Sequence, residues 1–121
     1  MNNKLVQIVA LLFLGGCATQ KYVWDGYDNT LYAYYKDPAG REKFVEKLKE
    51  TILKAEQVGK VPPGIYAEYG YTLYEDKNFL EAINYFQKEH DLWPESRFFM
   101  EKMIKNAQNV LAKQQSKEPA K

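Results

Sequence analysis

The 121-residue chain has one cysteine and one histidine. A lone cysteine has no partner within the chain, which excludes an internal disulfide framework. The histidine, His90, lies in Lys88-Glu89-His90-Asp91, and no motif ties it to a serine or cysteine nucleophile. Glu89, His90 and Asp91 are consecutive, so on a helix they point in different directions and do not converge as metal ligands must. There is no glycine-rich phosphate loop. Most carboxylates alternate with basic residues, as in Arg41-Glu42-Lys43 and Glu46-Lys47, the pattern of a solvated helix face. These absences argue against an enzyme and against a bound metal or cofactor. Basic and acidic residues nearly balance at 17 and 16, with no basic stripe, so nucleic acid is not expected as a partner. No apolar run reaches the roughly 20 residues that span a bilayer.

What is present begins at the N-terminus. Met1-Asn2-Asn3-Lys4 precedes Leu5 to Leu14, apolar apart from Gln7. This suits the apolar region of a secretory signal. Leu14-Gly15-Gly16-Cys17 resembles the lipobox of bacterial lipoproteins. The resemblance implies cleavage before Cys17, a diacylglycerol on its sulfur and an acylated new N-terminus (palmitate is a usual chain). Each buried methylene contributes about 0.8 kcal/mol, so two or three chains anchor a protein durably. The other reading is an ordinary signal followed by a free or bonded cysteine. Ala18 would be the second mature residue. Lipoprotein sorting in enterobacteria-like species holds aspartate there at the inner membrane, so Ala18 implies the outer membrane, facing the periplasm. The expected division is a signal peptide at 1–16, a lipidated tether at 17–27, a helical domain at 28–112 and a disordered polar tail at 113–121.

Along the mature chain the apolar spacing is helical throughout, and the fold class is all-α with about five helices. Tyr22-Val23-Trp24 forms an aromatic knot in the tether. Asp28 or Asn29 can cap a short helix through Tyr35. Asp37-Pro38 starts a second helix with the stripe Phe44, Leu48, Ile52 and Ala55, and Gly59 can end it in a left-handed turn. Val61-Pro62-Pro63-Gly64 breaks the chain. A third helix carries Ile65, Tyr66, Tyr69 and Leu73, and a fourth Phe79, Ala82, Ile83 and Phe86, closed by Trp93-Pro94. The last, from about Ser96, carries Phe99, Met103, Ile104, Ala107 and Val110.

Pro63 to Ser96 is close to the tetratricopeptide period of about 34 residues. Small residues fall at Gly70 and Ala82, aromatics at Tyr66, Phe79 and Phe86, and proline at Pro94. Two antiparallel helices would touch most closely where Gly70 and Ala82 meet, with Tyr66 and Phe86 filling the wider gaps. An ordinary helical hairpin with coincidental matches is the competing reading. Asn29 to Pro62 matches poorly, since Lys36 and Leu48 stand where small residues belong. It reads as a degenerate unit, and the final helix as a cap, where solenoids usually need about three units.

Tyr22-Val23-Trp24-Asp25-Gly26-Tyr27, Leu31-Tyr32-Ala33-Tyr34-Tyr35, Val61-Pro62-Pro63-Gly64-Ile65-Tyr66-Ala67-Glu68-Tyr69-Gly70 and Trp93-Pro94-Glu95-Ser96 together resemble a bacterial lipoprotein family, domain of unknown function 4810. Asp25 stands where the resemblance calls for glycine, which bears on a local turn and not on the fold. The family has no established activity. The resemblance implies a genetic context beside a CsgG-like lipoprotein and another small lipoprotein, hence an accessory role in an outer-membrane assembly.

Ten tyrosines are the compositional anomaly, and Tyr27, Tyr32, Tyr34 and Tyr35 crowd one short helix. They either meet a partner, as tyrosine commonly does at interfaces, or pack over Phe44 and Leu48 within the chain. The candidate partner contacts are Tyr27, Tyr34 and Tyr35, with Tyr69, Tyr74 and Trp93 second. The leading functional expectation is a membrane-anchored helical interaction module for a CsgG-like channel or another lipoprotein. A pilotin-like targeting chaperone and a peptidoglycan or sugar binder are the alternatives. A secretin gene nearby would favour the former, and sedimentation with peptidoglycan the latter.

Overall fold

A computed structural model describes residues 20–117. Among them there are five α-helices and no strand: α1 (Tyr27–Lys36), α2 (Arg41–Val58), α3 (Ile65–Glu75), α4 (Phe79–Leu92) and α5 (Arg97–Gln115). Short 3-10 turns at Pro38–Gly40 and Pro94–Ser96 lead into α2 and α5. Each proline sits at the first position of its turn, where its missing N–H leaves no gap in the hydrogen bonding. Cys17 and Ala18 lie outside the described residues, as do residues 118–121. None of the helices described is long and apolar enough to cross a membrane.

Successive helices pack side by side, most extensively α3 on α4 and α4 on α5. The shared core runs through Phe44, Leu48 and Ile52 of α2, Ile65, Tyr66, Tyr69 and Leu73 of α3, Ala82 and Phe86 of α4, and Met100 of α5. The α2 stripe recurs at three- and four-residue intervals, so it stays on one side of the helix. Thr51 falls on the same buried face, and its hydroxyl donates to the Lys47 carbonyl at 2.8 Å, which satisfies it locally. Gly59 ends α2 at φ 65°, a left-handed conformation that costs glycine little, and its amide donates to the Glu56 carbonyl.

Several local expectations are corrected. Neither Asp28 nor Asn29 caps α1. The helix begins after Gly26, with no side-chain cap, and Asp28 sits inside the first turn, where its charge favours the helix dipole. Asp37 does cap, but it caps the 3-10 turn by accepting from the Ala39 amide at 3.1 Å, and α2 starts later, at Arg41. On α5 the buried residues are Met100 and Ala107, while Phe99 is exposed. The rest of the expected stripe holds, with Met103 and Ile104 packed against the core, and Met100 takes the inward place expected of Phe99. Lys113 is helical, since α5 continues to Gln115. Residues 20–26 are packed on the body: the Val23 amide donates to the Lys60 carbonyl at 3.0 Å, and Tyr22 meets Trp93 edge to face at 5.6 Å.

Candidate interaction surface

The tyrosines of α1 divide between two faces. Tyr27, Leu31 and Tyr34 follow helical spacing and point inward. Tyr27 is 7% exposed and lies between Trp24 and Phe44, with ring centroids 6.1 and 6.0 Å away. Burial, and then the Glu68 carboxylate that its hydroxyl faces, push Tyr27 well above the usual phenol range. Tyr34 stacks on Phe44 at 4.7 Å with the rings nearly parallel. Tyr32 and Tyr35 point outward, and Tyr35 is 82% exposed. Of the contacts expected on this helix, Tyr27 is therefore a core residue and Tyr34 an intramolecular stacking residue. Tyr35 alone offers a free ring, joined by Tyr32.

The second-choice residues are placed in the same way. Tyr69 is buried and meets Tyr85 edge to face at 4.6 Å. Tyr74 is half-buried against Phe79 at 5.1 Å. Trp93 is half-buried against Tyr22, and its indole N–H is buried without a partner among the described residues. Gly70 faces the Phe86 ring: a Cβ there would lie 2.8 Å from two ring carbons and 3.3 Å from the Ala82 carbonyl oxygen. The close approach thus involves the backbone at Ala82, and the ring of Phe86 is what forbids a side chain at Gly70. Pro94 opens the turn between α4 and α5.

Glu89 went unrecognised in the sequence, although its position carried a signal. Ala82, Phe86 and Glu89 share one helical stripe, so a carboxylate on the core side needs partners. It is 0% exposed. Its Oε1 accepts from the Gly64 amide at 2.7 Å and from the Ser96 hydroxyl at 3.1 Å, while Oε2 has no partner among the described residues. Glu89 thereby caps the start of α3 from a different helix and ties it to the α4–α5 turn. Burial pushes its carboxyl up, against the opposing pull of the Gly64 amide, the Ser96 hydroxyl and the α3 amides of Ala67 and Tyr66.

On the other side of the same core, Tyr66 donates to Glu56 Oε1 at 2.7 Å and Lys88 donates to the same oxygen at 2.9 Å. The Lys88 ammonium also lies over the rings of Tyr66 and Tyr85. One exposed carboxylate on α2 thus holds α3 and α4. His90 Nδ1 lies 2.8 Å from Asp91 and Nε2 3.3 Å from Glu101, and these carboxylates raise its pKa, Asp91 most. No group of three His, Cys, Asp or Glu side chains among the described residues is arranged to hold a metal.

Between α3 and α5 runs a groove of about 490 Å³. Ala67 and Tyr71 form one wall, Phe99 and Met103 the other, and Phe86 lies at its floor. Three carboxylates line it, Glu68, Glu89 and Glu95, and no lysine or arginine does. Burial raises the Glu68 carboxyl, a shift its Tyr27 hydrogen bond opposes. Tyr71 and Phe99 are exposed along it, at 50% and 60%. The arrangement offers apolar contact area with negative charge beside it and no nucleophile.

A family model described as a domain of unknown function, DUF4810, matches residues 21–103, more than half of the chain. The chain belongs to the DUF4810 family. No curated protein and no solved structure matches it. The DUF4810 match begins beside Tyr22 and ends at Met103, so it takes in the packed N-terminal arm and both walls of the groove. It also contains Asp25, which stands at φ 47°. A left-handed backbone there explains why glycine suits the position in the family resemblance. Aspartate tolerates that conformation better than most residues, and here its carboxylate receives Lys47 at 2.9 Å and Lys54 at 2.8 Å.

Proposed function

We propose that this DUF4810 protein is a lipoprotein of the outer membrane, anchored through Cys17, retained there with Ala18 at the second position, and serving as a helical interaction module. Its partner is another envelope protein, a CsgG-like channel or a second lipoprotein. The groove between α3 and α5 is the docking site, and the outward face of α1, with Tyr32 and Tyr35, is an accessory contact. The observation that carries this reading is the groove itself: apolar walls with Tyr71 and Phe99 exposed, the accessible carboxylates of Glu68 and Glu95, and no cation in the lining. Such a lining suits an apolar segment bearing lysine or arginine, because charge complementarity steers the encounter and fixes the register. The repeat-like spacing of Tyr66, Gly70, Ala82, Phe86 and Pro94 supports a tetratricopeptide-like hairpin, a scaffold that presents grooves of this kind.

Photo-crosslinking in intact cells tests the reading. A crosslinker at Tyr71 or Phe99 should capture a discrete envelope protein, and one at Leu80 on the start of α4 should not. Identical products from all three positions, or none, would remove the groove as the docking site. A Tyr35→Ala variant with unchanged melting temperature should recover less of the same partner. Mass spectrometry of the purified native protein should find an acylated Cys17 at the mature N-terminus. A bare sulfhydryl would rule out the anchor.

A further inference from the structure

One end of the helical stack collects features that the groove does not use. Because the helices alternate in direction, the end of α2, the loop before α3, the end of α4 and the start of α5 meet there. The N-terminal arm arrives at the same place, with Lys60 Nζ donating to the Gln20 carbonyl at 3.4 Å and Tyr22 against Trp93. Three large apolar side chains are exposed at this end: Val58 at 59%, Leu92 at 47% and Phe98 at 70%. Cations surround them. Lys21 lies over Tyr22, Lys102 over Phe98, and Lys60 is exposed on the loop. Two of the nearby carboxylates are paired, and Glu95 is exposed. Glu56 is held by Lys88 and Tyr66, Asp91 pairs with His90, and Glu95 lines the groove.

We infer that this end rests on the phospholipid surface, with Val58, Leu92 and Phe98 among the headgroups and Lys21 and Lys60 at their phosphates. The inference depends on the Cys17 anchor. Three peptide links join Cys17 to Gln20, a reach of at most roughly 10 Å. A tether that short leaves this end, and no other, within contact distance of the bilayer. Its composition fits that position: aromatic rings settle at the headgroup level, and lysines extend polar tips toward phosphate while their stems cover apolar surface. The groove, whose mouth includes Gly64, Glu95 and Ser96, then opens beside the membrane.

The experiment uses the acylated protein purified from its native membrane and reconstituted into vesicles of phosphatidylethanolamine and phosphatidylglycerol. With Cys17 acylated, a Leu92→Cys or Phe98→Cys variant carries a single free thiol for an environment-sensitive fluorophore. Tyr35→Cys and Leu80→Cys are the controls. All four positions are exposed, so unchanged helical circular dichroism is expected. Nitroxide-bearing lipid should quench the fluorophore at positions 92 and 98 severalfold more than at 35 and 80. Equal quenching at all four, with one free thiol per molecule, overturns the orientation and leaves the anchor standing. Two free thiols per molecule show Cys17 bare and overturn both. Shielding at 92 and 98 in native membranes but not in pure lipid means that a protein covers this end, which also overturns the lipid contact.

Discussion

The α3–α4 hairpin and the N-terminal arm with α1 and α2 solve the same problem by different means. In the hairpin, Gly70 lets the Phe86 ring lie directly on the helix backbone, and buried Glu89 holds the start of α3 through main-chain hydrogen bonds. In the arm, Trp24, Tyr27, Tyr34 and Phe44 stack ring on ring, and Asp25 draws in Lys47 and Lys54 at the surface. Close backbone approach tolerates almost no change of volume. Ring stacks and exposed ion pairs accommodate more, so the arm can depart from a repeat pattern and remain attached.

The comparison predicts unequal responses to substitution. The largest should come from Gly70→Leu, which drives a side chain into Phe86 and costs about 1–3 kcal/mol. In a domain of this size each kcal/mol lowers the melting temperature by roughly 4–8 °C. An unchanged melting temperature would mean that α3 and α4 do not approach as described.

Glu89→Ala comes next, at about 1–3 kcal/mol, because the Gly64 amide and Ser96 hydroxyl lose their acceptor. Glu89→Gln should lose less, since an amide oxygen can still accept. The pH dependence has a definite sign. The folded-state pKa of Glu89 lies above its ordinary value of 4.5, so its contribution is complete below that pH and declines as pH rises through the folded value. Denaturant melts between mildly acidic and neutral pH should show a shallower decline in Glu89→Gln than in the wild type. Parallel curves would contradict the burial of that carboxylate.

In the arm, Tyr34→Ala should cost about 1–2 kcal/mol by removing one stacked ring from Phe44. A loss as large as that of Gly70→Leu would erase the contrast between the two regions. The smallest effect belongs to Asp25→Ala. It breaks two surface pairs and leaves a left-handed backbone on alanine, so the loss is modest and its ionic part should vanish at high salt. Asp25→Gly should be milder still, because glycine accepts that conformation. A salt-independent difference between wild type and Asp25→Gly would argue against the lysine pairs.

Some of this was readable in advance. The five helices, the Gly59 stop and the core stripes of α2, α3 and α4 follow from periodicity and from the few residues that accept a left-handed turn. Three features were not readable. The start of α1 differs because Gly26 caps it without a side chain, whereas Asp28 and Asn29 have the chemistry of a cap but stand two and three residues too late. On α5 only the first inward residue differs, because Phe98, Phe99 and Met100 are adjacent and all apolar, so spacing alone could not say which faces inward. The tyrosines could not be divided into packed and free, although Tyr27, Leu31 and Tyr34 share helical spacing, until α2 supplied Phe44 opposite Tyr34.

By itself the sequence determined an all-α chain and a place in the DUF4810 family, because helical periodicity and short motifs are local. Only the tertiary structure decided that Glu89 is buried, that the acidic groove lies between α3 and α5, and that Val58, Leu92 and Phe98 share an end with the N-terminal arm. Those are relations between residues far apart in sequence, and they exist only once the helices pack against one another.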